Sequence, residues 1–159
     1  LRGEMISLAT EDERTLFFEY LPLELGVLNG FKLKVRLFTV PGQSFYTSLQ
    51  QHVLRDADGI AFIADSAPDR QEANRVAMAD LFRLMRDLKK PITPDTPCVL
   101  QYNKRDLPHA VAIDVLEASL NPWGWPAFGA VASEGINVLE TLKALSRQVA
   151  DTIARNGLT

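Results

Sequence analysis

The 159 residues contain a single cysteine, Cys98, which excludes an internal disulfide and fits a reducing, cytoplasmic setting. No apolar run approaches the ~20 residues that a membrane-spanning helix requires, and no signal peptide opens the chain. Neither sign of charge dominates: 17 Lys and Arg face 20 Asp and Glu, a net charge of −3 that gives no basis for a nucleic-acid partner. There are only two histidines, His52 and His109, and with Cys98 they offer no metal-ligand spacing. Internal repeats, low-complexity tracts and linkers are all missing. What remains is ordinary for a globular protein, 47% hydrophobic and 23% charged, with the length of one domain over residues 1–159.

Residues 16–28 are rich in apolar and aromatic side chains, and Asn29-Gly30 is the dipeptide of a tight hairpin turn. In the next stretch Lys32, Lys34 and Arg36 alternate with Leu33, Val35 and Leu37, which predicts a half-covered strand antiparallel to its predecessor. Phe45, Leu49 and Val53 then suit a short helix ending near Arg55. The apolar run 59–64 predicts a strand buried on both faces, and 98–102 a second. Between them Ala77, Leu81, Leu84, Met85 and Leu88 fall at helical spacing, and Pro91, Pro94 and Pro97 end that helix. A helix over 113–120, a strand around 127–131 and a last helix with Val138, Leu142, Leu145, Val149 and Ile153 on one stripe complete the chain. Strands alternating with helices predict an α/β fold, a mostly parallel sheet with helices on both faces and one antiparallel edge strand. Ligands of such sheets bind beyond the carboxyl ends of the strands. Pro41-Gly42-Gln43, Asp65-Ser66, Asn103-Lys104-Arg105-Asp106 and Ala132-Ser133-Glu134 all fall there.

Asn103-Lys104-Arg105-Asp106 carries the sharpest chemistry. A carboxylate such as Asp106 can accept two parallel hydrogen bonds from the ring N–H and exocyclic amine of guanine, a pair that adenine lacks. Asn103 can bond the other edge of the base and brace neighbouring loops, while the methylene stem of Lys104 lies along the purine face. The plain alternative is a polar loop with a helix-capping aspartate. In Thr39-Val40-Pro41-Gly42-Gln43, a glycine at a strand end lets a backbone N–H approach a γ-phosphate, and the glutamine can orient an attacking water. An ordinary strand-to-helix turn is its plain alternative. Trp123 and Trp125, around Gly124, suit the packing of a helix–strand connection.

Together with residues 7–18 and Ala64-Asp65-Ser66, these stretches resemble the bacterial MglA type of Ras-like small GTPase, associated with gliding motility and cell polarity. The resemblance implies a P-loop NTPase-like, Ras-like fold, GTP or GDP with Mg²⁺ as ligands, and hydrolysis of GTP. It implies Thr15 as the switch threonine on Mg²⁺ and γ-phosphate, Arg14 as an arginine finger supplied in cis, and Gln43 as the water-positioning glutamine. Gly42 would contact the γ-phosphate and Ala132 would lie under the base. Thr39 stands where most small GTPases carry Asp, as in the MglA type. The implied partners are a dimeric roadblock-domain GTPase-activating protein of MglB type, docking at the 16–28 strand if it is an exposed sheet edge, and downstream polarity or motility effectors.

One element of that pattern is missing. No glycine is followed by lysine, so the G-x-x-x-x-G-K-[ST] phosphate loop is absent from these residues. The resemblance places that loop, with the central strand feeding it, just upstream of Leu1, and the chain reads as an N-terminally incomplete GTPase domain. The vacated strand position would separate the 32–40 strand from the 59–64 strand. A GTPase-like interaction module without turnover is the competing class, and an adenine-nucleotide enzyme on a related sheet a third, against which the guanine motif argues.

Overall fold

The alternation of basic and apolar residues along 32–37 acts as expected: in the computed structural model Lys34 and Arg36 are exposed while Val35 and Leu37 are half-buried. The structure describes residues 6–8, 18–28, 31–40 and 47–156, with side chains from 34–40 and 50–156. The chain forms two compact units, residues 1–56 and 57–159.

The first unit holds an antiparallel sheet in the order β1 (Ile6–Leu8), β2 (Phe18–Leu28), β3 (Phe31–Phe38), followed by helix α1 (Thr47–Arg55). Leu28 pairs with Phe31, the register of a two-residue hairpin, although Asn29 and Gly30 themselves lie outside the described residues. The register shifts between Glu24 and Val27, where one extra residue on β2 makes a bulge. Strand β1 was not expected, since the sequence reading assigned no strand before residue 16. Ser7 and Leu8 are paired with Glu19 and Phe18. The same pairing means that β2 is not a bare edge: β1 covers it over Phe18–Tyr20, and only the remainder of β2 lacks a second neighbour among the described residues.

The second unit is a parallel sheet in the order β4 (Ile60–Asp65), β5 (Cys98–Asn103), β6 (Ala127–Gly129), flanked by helices α2 (Gln71–Asp87), α3 (Ile113–Leu120) and α4 (Val138–Arg155). This is the mixed α/β architecture of a Ras-like GTPase fold. Among the described residues no ladder joins β3 to β4. Two right-handed crossovers stepping in one direction put α2 and α3 on the same face, where they meet. Strand β5 is central and buried from Cys98 to Gln101 and at Tyr102. Burial pushes the Cys98 thiol up to about 12, so it stays protonated and poorly nucleophilic near neutral pH.

Two apolar patterns were over-read. In β4, Ala61 and Ile63 are exposed, Ile63 at 51%, so the strand is covered fully only at Ile60 and Ala64. In α4, Leu145 is buried and Leu142 and Val149 are half-buried, but Val138 and Ile153 at the ends of the stripe lie in solvent. A continuous apolar run reports hydrophobicity on both faces; it does not report whether a neighbour exists for each face.

Side-chain amides finish the backbone pairing where strands run out. Gln148 on α4 accepts from Cys98 N–H (3.0 Å) and donates to Cys98 C=O (3.1 Å). Asn121 treats Trp125 in the same way, at 2.8 Å in both directions. Trp125 is buried beside Trp123, ring centroids 5.0 Å apart, and Phe82 of α2 joins them, which is the connection-packing role expected of the tryptophans. Gly59, just before β4, lies under α4: a Cβ there would stand 2.6 Å from Val149 Cγ2 and 2.9 Å from a Leu145 methyl. Gly59→Ala is therefore expected to cost about 1–3 kcal/mol through overpacking, read as a lower urea midpoint with unchanged slope. An unchanged midpoint would show that α4 yields without cost.

Candidate functional site: the base loop

The site grows from the end of β5. Buried residues, apolar except for Gln101, hold that strand in the centre of the sheet and deliver Asn103 to its carboxyl end, half-buried. The Asn103 side-chain oxygen accepts the backbone N–H of Ala132 at 2.9 Å, joining the loop after β5 to the 3₁₀ turn Ala132–Glu134 that follows β6. This is the bracing role the sequence assigned to Asn103, and it brings Ala132 to the base loop. Gly135 closes that turn with φ of 74°, a left-handed conformation that a side chain would disfavour, and Ile136 bridges back to Val131. Asn137 then donates to Gly129 C=O at 2.7 Å.

Lys104 takes φ of 64°, a sparsely populated conformation for a residue with a Cβ, and one that persists only where neighbours enforce it. Its ammonium pairs with Asp65 Oδ2 at 2.7 Å, leaving the side chain 54% exposed. Arg105 anchors the same loop from the other side: its N–H donates to Ala130 C=O at 3.0 Å and its guanidinium to Val111 C=O at 2.5 Å. Leu107 N–H closes back onto Lys104 C=O at 3.2 Å. The Asp106 side chain, by contrast, is exposed and has no hydrogen-bond or ion-pair partner among the described residues. A loop held at Asn103, Lys104 and Arg105 thus presents one unengaged carboxylate, an acceptor pair matching the two N–H donors on the edge of guanine. It is not capping a helix.

Burial works to raise the Asp65 carboxyl, but the Lys104 ammonium, the Ala67 N–H and Arg70 outweigh it and hold it below its ordinary 3.8. The sign follows from the lowered native value. The stability Asp65 contributes is complete above its ordinary range and is lost as pH falls through the native value.

Of the remaining site residues expected from the sequence, Arg14, Thr15, Gly42 and Gln43 lie outside the described residues. His52 and His109 are exposed, and no metal-binding cluster of His, Cys, Asp or Glu occurs among the described residues. No helix there is long and apolar enough to cross a membrane. Sequence reasoning placed Asp65 on the binding rim without a task and gave Arg105 none; their anchoring roles depend on partners brought close by folding.

No family model matches the chain. It is, however, 42% identical over 156 residues to the mutual gliding-motility protein MglA of Myxococcus xanthus (strain DK1622), a match spanning 98% of this chain and 80% of that protein. With that identity over nearly the whole chain, and a parallel sheet that ends in an Asn-Lys-Arg-Asp loop, the chain belongs to the MglA-type family of small Ras-like GTPases.

Proposed function

We propose that this protein is a cytoplasmic guanine-nucleotide switch that hydrolyses GTP and acts in gliding motility or cell polarity. The observation that carries the reading is the exposed Asp106 carboxylate, without a partner among the described residues, on a loop fixed by Asn103–Ala132 and Lys104–Asp65. Those residues fit a guanine base: Asp106 takes its two N–H donors, the Lys104 stem covers one face, and Ala132 closes the pocket beneath it. In this reading Thr15 holds Mg²⁺, Gly42 faces the γ-phosphate, Gln43 orients water and Arg14 neutralises the phosphoryl oxygens. Bound Mg²⁺ supplies charge neutralisation at the β- and γ-phosphates. A roadblock-domain activator of MglB type and motility effectors are the partners that family membership favours.

The test uses the full-length natural protein. Fluorescent GDP bound to it should be displaced by unlabelled GDP or GTP and not by ATP at the same concentration, and inorganic phosphate should be released from GTP. Equal displacement by ATP would overturn the assignment of the base site.

A further inference from the structure

The Lys104 ammonium is tied to a side chain outside its own loop, and that side chain is itself held from several directions. Asp65 ends β4. Its Oδ2 pairs with Lys104 Nζ, while its Oδ1 accepts the Ala67 N–H at 2.9 Å. Its backbone is gripped by Asn74 of α2: the Asp65 N–H donates to Asn74 Oδ1 at 3.1 Å and the Asn74 amide donates to Asp65 C=O at 2.8 Å. Asn74 is buried. Gln71, one turn earlier, donates to Ala67 C=O at 2.8 Å and to Asp65 C=O at 3.3 Å. After Asp65, the backbone of fully buried Ser66 donates its N–H to Asn103 C=O (3.0 Å) and accepts the Val111 N–H at its C=O (2.8 Å). The first turns of α2, the end of β4 and the base loop are therefore one hydrogen-bonded assembly, and Asp65 is where it reaches Lys104.

We propose that Asp65 is a positioning residue of the base site: its carboxylate, held by the Ala67 N–H on a backbone clamped by Asn74, fixes the Lys104 ammonium and so holds the lysine stem in place for the purine before nucleotide arrives. A lysine stem has several freely rotating bonds, and ordering them on binding costs entropy; an ion pair at its tip removes much of that freedom in advance. The left-handed backbone of Lys104 fits the same account, because it is the conformation in which the side chain meets Asp65. The inference rests on the guanine-site reading, and its failure is separable from the failure of that reading.

The experiment measures the release rate of fluorescent GDP from the full-length protein in a double-mutant cycle. Asp65→Asn keeps an acceptor for the Ala67 N–H but removes the charge. It should speed GDP release about fivefold, the upper range for a partly exposed ion pair. Lys104→Ala should speed it further, and the double variant should match Lys104→Ala alone, because Asp65 acts through the lysine. Melting temperatures read alongside separate this from a fold defect, since a purely structural Asp65 would add its effect to that of Lys104→Ala. Asp65→Ser, whose hydroxyl can also accept the Ala67 N–H, is the second variant. If both Asp65 variants unfold, or if both release GDP at the parental rate while Lys104→Ala does not, the positioning role is overturned. If Lys104→Ala itself leaves GDP release unchanged, the base-site reading falls instead.

Discussion

Asp106→Asn in the full-length protein is expected to lower GTP affinity and raise XTP affinity, reversing or strongly narrowing the preference between the two. The carboxylate offers two acceptors to guanine's ring N–H and amine; the amide offers one acceptor and one donor. Xanthine carries a carbonyl where guanine carries the amine, so the new donor finds an acceptor only in XTP. A mismatched buried polar pair costs about 1–3 kcal/mol, roughly 5- to 150-fold. The side chain is exposed and has no hydrogen-bond or ion-pair partner among the described residues, so the substitution breaks no internal bond there and the melting temperature should barely move. Competition between GTP and XTP for a fluorescent nucleotide is the measurement. An unchanged preference would remove Asp106 from the base site.

The largest effect is expected at Arg14. Family membership and the Arg14-Thr15 pair support a loop that folds over the phosphates, carrying the arginine toward the γ-phosphoryl group as the threonine reaches the metal. In the proposed mechanism Gln43, from the segment after β3, would align the water. A finger of this kind is worth about 10³–10⁵ in rate, whereas an arginine on a solvated surface contributes about 0–1 kcal/mol of stability. Arg14→Ala should therefore cut activator-stimulated hydrolysis by on the order of a hundredfold or more while changing GTP affinity only a few-fold, and Gln43→Leu should act similarly. Single-turnover hydrolysis with the activator present decides it. Parental turnover by Arg14→Ala would remove the arginine-finger assignment.

How much of this was legible in the sequence depended on the range of the interaction involved. Strand β5 and helices α2 and α3 were readable because each carries its own periodicity or, in β5, a run that is apolar but for Gln101. A bracing role for Asn103 was anticipated because loops at the carboxyl ends of parallel strands converge on one rim, but its partner, the Ala132 N–H, was not. Strand β1 was not readable: three residues carry no period, and Ile6–Leu8 is a strand only because β2 lies beside it. The exposure of Ala61 and Ile63 was missed for the complementary reason, since their apolarity is local and the neighbour that would cover them is not. Asp65 and Lys104 are remote in sequence, and either alone is an unremarkable surface charge. Only the fold brings them to 2.7 Å.

The Asn74 clamp has one more consequence, for the free side of β4. Ile60 and Ser66 donate toward β5, so alternation turns the N–H and C=O groups of Ala61, Ile63 and Asp65 to the opposite side. At Asp65 the Asn74 amide already occupies both groups, imitating a strand with a single side chain. A polypeptide laid along that side would find bonding positions at Ala61 and Ile63 and none at Asp65. The side-chain amide thus closes the backbone bonding of β4 at its carboxyl end, where Asp65 turns from strand partner to ion-pair partner of Lys104.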